Sequence, residues 1–522
     1  MNREEMLGRL REERGEWDIL VIGGGATGVA CALDAASRGY RTALVEQHDF
    51  GKGTSSRSTK LIHGGVRYLE QGNITLVMEA LKERGILREN APHLVKDLAF
   101  VVPNYEWWEA PFYGVGLRLY DLLAGKYGFG KSRILSREET LARLPNLKME
   151  GLRGGVEYYD GQFDDARLLI HMVRTAAEQG AALVNYCRVA ALLRDGSGLV
   201  NGAVVEDQEG GGEFEIRARV VINATGCFSD ALRRLADPEA RPMIAPSQGV
   251  HLVFDASFLR GEAAILAPRT RDGRVMFAIP WHGHALVGTT DTALDAVSLE
   301  PQPLEEEIEL ILETAADYLQ RAPSRSDILS AWAGIRPLVK TVEGASTASL
   351  ARDHSIHIDR NGLITIAGGK WTTCRRMAED CIDQASVLGG LEERECVTRR
   401  LRIHGYHHHA EQFGELSVYG SDAIAIREMM RLHPERGRRL AEALPYTEAE
   451  VVWAARWEMA RHVEDVLARR TRALQLNARA AAEAAPRVAR ILAAELGRDE
   501  SWAEEETKRF RELAQRYLPG GL

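Results

Sequence analysis

The residues best suited to chemistry are concentrated in segment 54–70, TSSRSTKLIHGGVRYLE. Its hydrogen-bond donors are three serines, two threonines, Lys60, His63, Arg67 and Tyr68, grouped around a Gly-Gly turn. Such a density of donors is suited to binding an anion or the ring of a cofactor. An ordinary polar surface loop would have a similar composition, but it would not explain the apolar Leu61, Ile62 and Val66 inside the segment.

Three arginines could bind a phosphate group: Arg67, Arg336 and Arg352. A guanidinium group binds phosphate oxygens through two parallel hydrogen bonds, which a lysine cannot reproduce. Arg336 stands before Pro337 in an apolar stretch that begins at Trp332. Burying an unpaired cation there would be costly, so a bound anion would account for it. A structural ion pair is the alternative for each arginine.

A dinucleotide-binding turn precedes these residues in the chain. The apolar run at 18–22 predicts a buried parallel strand, the Ala-rich stretch at 29–38 a helix, and the run at 42–45 a second strand. Glu46 ends that second strand, 18 positions after the last motif glycine, where an acidic residue binds a ribose. The glycines of the motif G-x-G-x-x-G are Gly23, Gly25 and Gly28.

Further elements of the same type appear much later in the chain. Residues 220–223 form a strand that leads into Ala-Thr-Gly, and residues 363–367 form one that leads into Gly-Gly-Lys. The nucleotide domain is therefore predicted to be assembled from separated pieces. The β-rich runs between them, joined by Asp-Gly and His-Gly turns, predict an antiparallel meander over 263–267, 274–280 and 284–288.

The rest of the chain is predicted to be helical. From 446 to about 518 the composition shifts to Ala, Arg, Glu and Leu with little Gly, which predicts a helical domain, and 405–420 is the predicted linker before it. No metal site is predicted, since the consecutive histidines at 407–409 point in different directions and favour a surface loop.

Composition and charge exclude several classes of protein. At 522 residues the chain has room for about three to four structural units. With 66 Lys+Arg against 75 Asp+Glu, there is no global basic field, so no nucleic-acid partner is predicted. Six cysteines form neither a disulfide framework nor an iron–sulfur or zinc spacing, which favours a reducing cytoplasm. No secretory signal and no membrane-spanning apolar run are predicted.

Over roughly residues 17–475 the sequence resembles the FAD-dependent glycerol-3-phosphate dehydrogenase family. The segment SS-x-S-x-KLIHGG-x-RYLE carries most of that resemblance. The other matching motifs, in order, are APHL at 91–94, DDARL at 164–168, NATG at 223–226, GTTD at 288–291, G-x-RPL at 334–338, ARD at 351–353 and GGK-x-TT at 368–373.

The resemblance implies an α/β fold with a glutathione-reductase-like FAD-binding domain, an antiparallel β substrate-cap domain and a C-terminal α-helical domain. We expect the oxidoreductase region to span 1–400 and the helical domain 401–522. Within the first region, the expected FAD domain is discontinuous, at about 15–90, 155–235 and 345–395, and the cap covers about 91–154 and 236–344.

The implied reaction oxidises sn-glycerol 3-phosphate to dihydroxyacetone phosphate, with FAD as the cofactor and membrane quinone as the electron acceptor. The positions that fall on the family's active-site residues are Arg67, Tyr68, His251, Thr290, Asp291, Arg336, Arg352 and Lys370. The positions expected to contact FAD, besides the three motif glycines and Glu46, are Thr54, Ser55, Thr59, His63, Val189, Gly226, Gly369 and Lys370.

Hydride transfer from C2 of the substrate to N5 of the flavin requires a base that removes the hydroxyl proton. His63, His251 and Lys370 are the alternatives. Each histidine could instead be a satisfied core or cofactor contact, and Lys370 could instead stabilise the reduced flavin.

Segment 111–137 could meet a lipid surface. It holds five aromatic residues, and five basic residues against one acidic residue. That mixture suits an interfacial membrane contact, although an amphipathic helix packed on the core is the alternative. The expected location is therefore peripheral, on the cytoplasmic face of the cell membrane, and a homodimer is compatible with the sequence. The alternative functions are an oxidase that uses O₂ and produces H₂O₂ and, more remotely, a non-catalytic FAD-binding sensor.

Overall fold

The computed structural model describes residues 1–12, 15–65, 73–268, 270–271, 273–340 and 354–519. The strands within these residues are β1 (Trp17–Ile22), β2 (Thr42–Val45), β3 (Leu61–Ile62), β4 (Val95–Asn104), β5 (Arg133–Ser136), β6 (Gly154–Phe163), β7 (Ala182–Val184), β8 (Cys187–Arg194), β9 (Val200–Asp207), β10 (Glu213–Asn223), β11 (Ile244–Asp255), β12 (Ala264–Ala267), β13 (Met276–Trp281), β14 (His284–Gly288), β15 (Thr292–Ala293), β16 (Ser330–Val339), β17 (His354–Ile358) and β18 (Ile364–Gly368).

The α-helices within the same residues are α1 (Arg3–Glu12), α2 (Ala26–Ser37), α3 (Ile74–Asn90), α4 (Glu109–Ala124), α5 (Arg137–Arg143), α6 (Asp165–Glu178), α7 (Ser229–Ala236), α8 (Glu305–Tyr318), α9 (Cys374–Leu388), α10 (Ala423–Leu432), α11 (Glu448–Trp457), α12 (Ala473–Leu476), α13 (Ala478–Leu496) and α14 (Glu500–Gln515). None of the helices in the described ranges is long and apolar enough to cross a membrane.

The first sheet has the strand order β17-β18-β10-β1-β2-β7. Strands β18, β10, β1, β2 and β7 are parallel to one another, while β8 and β9 extend the sheet in antiparallel pairing from β10. β1 and β2 are almost entirely buried, as expected of parallel strands that are covered on both faces. This sheet places the carboxyl ends of β1, β2 and β10 side by side, where an open α/β sheet binds its ligand.

The second sheet has the order β15-β11-β14-β13-β12-β4-β6-β3, with β16 on β11 and β5 on β6. Its pairs are antiparallel except for β12 with β4, and β12, β13 and β14 form the predicted meander. The fold class expected from the sequence is therefore confirmed.

Two strands within the predicted FAD-domain segments pair in the second sheet. Residues 155–235 are predicted to belong to the FAD domain, but β6 (154–163) pairs along its whole length with β4 in the second sheet. β3, which was also assigned to the FAD domain, pairs with β6. Sheet membership depends on which distant strand supplies the hydrogen-bond partner, and neither strand's own sequence specifies that partner.

The C-terminal region is helical, as expected, but the predicted linker at 405–420 is packed rather than extended. Residues 410–422 form 3₁₀ turns that bury Phe413, Leu416 and Tyr419. These apolar residues recur every third position, which places them on one side of a 3₁₀ turn. Gly414 and Gly420, with φ of 61° and 56°, interrupt the turns.

His462 ties the C-terminal helices to the first sheet. Its Nε2 lies 2.9 Å from Glu209, in the β9–β10 turn, and its Nδ1 lies 3.0 Å from Glu506 on α14. Burial opposes the charge of the ring, but the hydrogen bonds to the two carboxylates outweigh it and raise the pKa of His462 to about 10.

The raised pKa predicts a pH-dependent stability. Because the folded-state pKa lies above the ordinary value of 6.5, the contribution of His462 is complete below pH 6.5 and is lost as the pH rises towards 10. We expect the free energy of unfolding of His462→Gln to fall below that of the wild type by about 3 kcal/mol at pH 6, with the difference vanishing by about pH 10. Denaturant unfolding of both proteins across this range measures the difference. A constant difference would contradict a charged His462.

Candidate active site

A cavity of about 1420 Å³ is lined by residues from both sheets, including Val45 of the first and Phe277 of the second. It brings together most of the site residues expected from the sequence. Those that line it are Gly23, Gly25, Glu46, Thr54, Ser55, Thr59, His63, Val189, Gly226, His251, Thr290, Asp291, Arg336, Gly369 and Lys370. Arg67, Tyr68 and Arg352 lie outside the described residues.

The glycine turn forms one end of the cavity. Gly23 has φ +114°, and a Cβ atom there would lie 2.6 Å from the main-chain oxygen of Ala224. Gly28 does not line the cavity but packs α2 on the turn, since its Cβ would lie 1.9 Å from the oxygen of Gly23. Both glycines therefore allow close packing of the backbone, as a dinucleotide-binding turn requires.

Glu46 lies beside this turn at the end of β2. Its carboxylate accepts hydrogen bonds from the main-chain N–H groups of Gly24, at 2.6 Å, and His48, at 2.8 Å. Burial raises the pKa of Glu46, and these two hydrogen bonds oppose the shift. Val189, on β8, lines the same end of the cavity.

The segment that follows Gly53 is fixed by a buried ion pair. Lys60 Nζ lies 2.9 and 2.8 Å from the two carboxylate oxygens of Asp165, and both side chains are fully buried. Asp165 also accepts hydrogen bonds from the N–H and hydroxyl groups of Ser58. Ser55 accepts a hydrogen bond from the N–H of Ala26 at 2.9 Å, which joins the segment to the start of α2.

Two more hydroxyl groups of this segment contact the second sheet. Thr54 donates a hydrogen bond to the main-chain oxygen of Ile335 at 2.6 Å. The hydroxyl of Thr59 lies 3.0 Å from Nε2 of His251. The segment therefore spans from the glycine turn to the opposite wall of the cavity.

His251, on β11, is held by ring stacking. Its ring lies 4.4 Å from that of Trp332 at an interplanar angle of 22°. Lys60 lies on Trp332 as well, 4.8 Å from the ring centroid. Burial, together with the positive charges of Lys60 and Arg336, lowers the pKa of His251 well below its ordinary value. His251 is therefore neutral near pH 7, and the same shift makes its ring nitrogens weakly basic.

Arg336, on β16, is oriented by four oxygen atoms. Nη1 donates to the main-chain oxygen of Gln248 at 3.2 Å and lies 3.4 Å from the Asp291 carboxylate. Nη2 donates to the Thr289 hydroxyl at 3.1 Å and to the main-chain oxygen of Thr290 at 3.0 Å. About a third of the side chain is exposed, so a fixed guanidinium group faces the cavity.

Lys370, which follows β18 of the first sheet, and His63, which follows β3 of the second, complete the site. Lys370 directly follows Gly368 and Gly369, both of which have positive φ, and precedes a short 3₁₀ turn. The N–H of His63 donates to the hydroxyl of Thr372 at 3.3 Å. Gly226 also has a positive φ, +58°, follows the end of a strand of the first sheet, β10, and lines the cavity.

Two supporting acidic residues were not predicted as part of the site. Glu307, on α8, accepts hydrogen bonds from the hydroxyl groups of Thr290, at 2.8 Å, and Thr292, at 2.6 Å, and from the side-chain amide of Gln248, at 2.7 Å. The other is Asp165, which belongs to the DDARL motif at 164–168 and holds Lys60 and Ser58. Nothing in the acidic run at 305–307 distinguishes Glu307 from an ordinary helix start, so only its contacts reveal it.

The family models that match the chain cover most of its length. Residues 18–375 match the model described as FAD dependent oxidoreductase. Residues 365–503 match the model described as the C-terminal domain of alpha-glycerophosphate oxidase.

Several curated proteins are similar along nearly the whole chain. A probable mitochondrial glycerol-3-phosphate dehydrogenase of Caenorhabditis elegans is 44% identical, over 96% of this chain and 73% of its own length. The mitochondrial glycerol-3-phosphate dehydrogenase of Mus musculus is 43% identical over the same shares. That of Arabidopsis thaliana is 41% identical, over 96% of this chain and 86% of its own.

Two solved structures extend the comparison. The glycerol-3-phosphate dehydrogenase of Bacillus halodurans, complexed with FAD, has a TM-score of 0.76 and 31% identity, covering 99% of this chain and 98% of its own. The L-alpha-glycerophosphate oxidase of Mycoplasma pneumoniae, also with FAD, has a TM-score of 0.57 and 18% identity over 74% of this chain and 98% of its own, which is a likeness of fold alone.

Proposed function

The chain belongs to the FAD-dependent oxidoreductase family and, within it, to the glycerol-3-phosphate dehydrogenases, and on that premise we propose that it oxidises the C2 hydroxyl of sn-glycerol 3-phosphate to the ketone of dihydroxyacetone phosphate. The observation that carries the proposal is the cavity, which joins the glycine turn to a wall that presents Arg336 and His251. One end suits a dinucleotide, and the other suits a phosphorylated alcohol.

The residues present fit FAD. The positive φ of Gly23 and the absence of a side chain there let the backbone approach a pyrophosphate, and Glu46 stands at the ribose position. When bound, FAD supplies the hydride acceptor of the reaction. The residues that would hold it are Gly23, Gly25, Glu46, Thr54, Ser55, Thr59, His63, Val189, Gly226 and Gly369.

The protein's own groups orient the substrate and remove its proton. Arg336, fixed by its contacts with the 289–291 turn, would bind the phosphate group and so place C2. His251 lines the cavity, with Nε2 3.0 Å from the Thr59 hydroxyl, and by this position is one candidate to accept the hydroxyl proton as the hydride leaves. His63 and Lys370 line the same cavity and are the alternative bases.

For the electron acceptor we propose membrane quinone rather than O₂. The support is a path from the site to an apolar surface: the cavity is also lined by Trp108, Tyr113 and Leu117, which lie at the start of α4 and on it. Apolar side chains on one side of α4 are exposed, namely Phe112 (55%), Val115 (72%), Leu119 (41%) and Leu122 (76%).

The acceptor is tested by reoxidation. Purified yellow protein is first bleached anaerobically with glycerol 3-phosphate and then mixed with a short-chain quinone or with air-saturated buffer. We expect the yellow colour to return much faster with the quinone. Faster recovery in air with formation of H₂O₂ would identify an oxidase. A protein that binds FAD but is not bleached by glycerol 3-phosphate would instead fit the non-catalytic FAD-binding sensor.

Helix α4 and its surroundings form the proposed lipid contact, which we call the docking patch: Trp107, Phe112, Val115, Leu119, Leu122 and Ile134, all exposed. The opposite side of α4 buries Leu117 and Tyr120, so the helix packs on the core. Phe112, Val115 and Leu119 of the docking patch also line the cavity, so the patch is continuous with the cavity. Exposed patches of this kind mark interaction sites, and Arg118, Lys126 and Lys131 beside it suit anionic lipid. The six cysteines are free thiols, in keeping with the cytoplasmic face.

The docking patch predicts two distinct salt responses. Replacing Arg118, Lys126 and Lys131 with Gln removes about 1 kcal/mol of attraction per charge, which salt screens, so we expect weaker sedimentation with anionic liposomes mainly at low salt. Replacing Trp107 and Leu122 with Ser removes apolar area, so we expect weaker sedimentation at every salt concentration.

Val387→Ser is the matched control, because Val387 is 83% exposed but lies on α9 rather than α4. It should sediment as the wild type does. If the docking-patch variants also sediment as the wild type does, α4 is not the membrane contact.

A further inference from the structure

A second arginine, Arg274, lies on the same wall of the cavity as Arg336. It lies two residues before the start of β13, and about a third of its side chain is exposed. Nη1 donates a hydrogen bond to the main-chain oxygen of Asp291 and lies 3.6 Å from the Asp291 carboxylate. Arg336 lies 3.4 Å from the other oxygen of that carboxylate. Asp291 therefore lies between two guanidinium groups.

The backbone of Arg274 is fixed by Thr270. The N–H of Arg274 donates to the Thr270 hydroxyl at 2.9 Å. The N–H and the hydroxyl of Thr270 both donate to the main-chain oxygen of Arg274, each at 3.0 Å. These three hydrogen bonds fix the main chain from which the arginine side chain extends into the cavity.

The carboxylates on this wall outnumber the guanidinium group of Arg336, and Arg274 balances them. Asp291 cancels the charge of Arg336, and Glu307, buried behind Thr290, adds another negative charge. Without Arg274 the wall formed by these groups would carry a net negative charge and would repel a phosphate dianion. Arg274 removes that repulsion and adds a second guanidinium donor.

The exposed surfaces of the three groups favour an anion between the arginines. The side chains of Arg274 and Arg336 are 31% and 33% exposed, whereas that of Asp291 is only 14% exposed and accepts a hydrogen bond from Ser247. The carboxylate is covered and the cations face the cavity. A group that binds here would meet guanidinium N–H donors rather than the carboxylate oxygens.

We propose that Arg274 is a second phosphate-binding arginine, which receives the substrate phosphate together with Arg336. This inference rests on the proposed function for the identity of the substrate. It adds to that function the residue that offsets the negative charge of the wall and supplies a second guanidinium donor. The alternative role for Arg274 is structural, confined to holding the 289–291 turn in place.

Arg274→Gln tests the proposal. We expect the KM for glycerol 3-phosphate to rise about 30-fold or more, with kcat reduced less than about threefold, because a charged hydrogen bond to the phosphate is lost while the reacting groups stay in place. The inhibition constant of inorganic phosphate should rise by a similar factor. Arg274→Lys should recover part of the affinity, since it restores the charge but not the second donor.

Arg271→Gln is the matched control. Arg271 lies three residues earlier, is 56% exposed, and pairs with Glu313 and Asp317 instead of Asp291. It should leave the KM, the kcat and the phosphate inhibition unchanged. FAD content is measured in all three variants to detect a change in the rest of the site.

The outcomes separate this inference from the proposed function. If glycerol 3-phosphate bleaches the wild type but the KM of Arg274→Gln stays within threefold of it, Arg274 does not bind the phosphate. If kcat falls while the KM and phosphate inhibition do not change, its role is structural. Calorimetry on the holoenzyme measures the binding of inorganic phosphate directly, and this measurement does not depend on turnover. Weaker binding in Arg274→Gln would therefore support the anion site even if the substrate proved to be another phosphorylated alcohol.

Discussion

Arg336→Lys is expected to lower kcat/KM for glycerol 3-phosphate by about a hundredfold or more, although the positive charge is kept. Nη1 and Nη2 of Arg336 bind different oxygen atoms, those of Gln248 on one side and of Thr289 and Thr290 on the other. A single ammonium group cannot bind both sides at once, so its charge would not be held in the place from which Arg336 faces the cavity. Steady-state kinetics with a soluble dye as electron acceptor measure the loss.

Arg325→Lys is the matched control for this substitution. Arg325 is an arginine in a short 3₁₀ turn shortly before β16, it is 41% exposed, and it pairs with Glu305 and Glu309 on α8. It should behave as the wild type does. FAD content should be unchanged in both variants, because Arg336 lies on the substrate side of the cavity. Near-wild-type efficiency in Arg336→Lys would refute the role of Arg336 in binding phosphate.

Gly23→Ala is expected to yield protein without bound FAD. The Cβ atom would lie 2.6 Å from the oxygen and 2.9 Å from the carbon of the Ala224 carbonyl, and φ at this position is +114°. An L-residue with a side chain is strained at that φ, and both neighbours are backbone atoms that cannot rotate away. The turn must therefore shift from the position in which its N–H groups meet the pyrophosphate, and we expect the FAD affinity to fall about a hundredfold or more.

The flavin-to-protein absorbance ratio of the purified protein measures this effect, and circular dichroism shows whether the chain is folded. Gly8→Ala is the control, because Gly8 lies in α1 with nothing within 4 Å of its added Cβ, and alanine favours a helix by about 1 kcal/mol. It should retain a full complement of FAD. Stoichiometric flavin in Gly23→Ala would contradict the assignment of this turn to the pyrophosphate.

The sequence predicts the local parts of the site well, because those parts depend on local patterns. The glycine turn, with β1 before it and α2 after it, follows from hydrophobic runs and glycine spacing, and the strand that ends before Glu46 has the predicted bounds of Thr42–Val45. The resemblance to a known family adds the residues on the opposite wall, and the structure places His251, Thr290, Asp291, Arg336 and Lys370 on the cavity.

What the sequence does not predict depends on long-range contacts. β6 belongs to the second sheet because it pairs with β4, whose residues lie 50 to 68 positions earlier in the chain than their partners. Arg274 joins the site through its contacts with Asp291, and Glu307 joins it through Gln248, Thr290 and Thr292. Neither has a local pattern that distinguishes it from an ordinary turn or helix start.

The C-terminal domain also reaches the site through long-range contacts, which are ion pairs with the loop that follows Glu46. Arg469 and Arg470, in a single-turn π-helix, bind the two oxygens of Asp49, which lies three residues after Glu46. Lys52 pairs with Glu464 at 2.5 Å. Burial opposes ionisation of Asp49, but the two arginines lower its pKa below the ordinary value. Composition predicts that this region is helical, but it cannot predict that the region holds the loop that follows Glu46.

Hydride transfer from C2 of glycerol 3-phosphate to bound FAD is tested most directly by anaerobic stopped-flow absorbance. The wild-type holoenzyme is mixed with sn-glycerol 3-phosphate, with the same substrate deuterated at C2, and with glycerol. We predict flavin bleaching at a rate that saturates with glycerol 3-phosphate, a clearly slower rate with the deuterated substrate, and no bleaching with glycerol. A flavin that stays oxidised in the presence of saturating glycerol 3-phosphate would contradict the account.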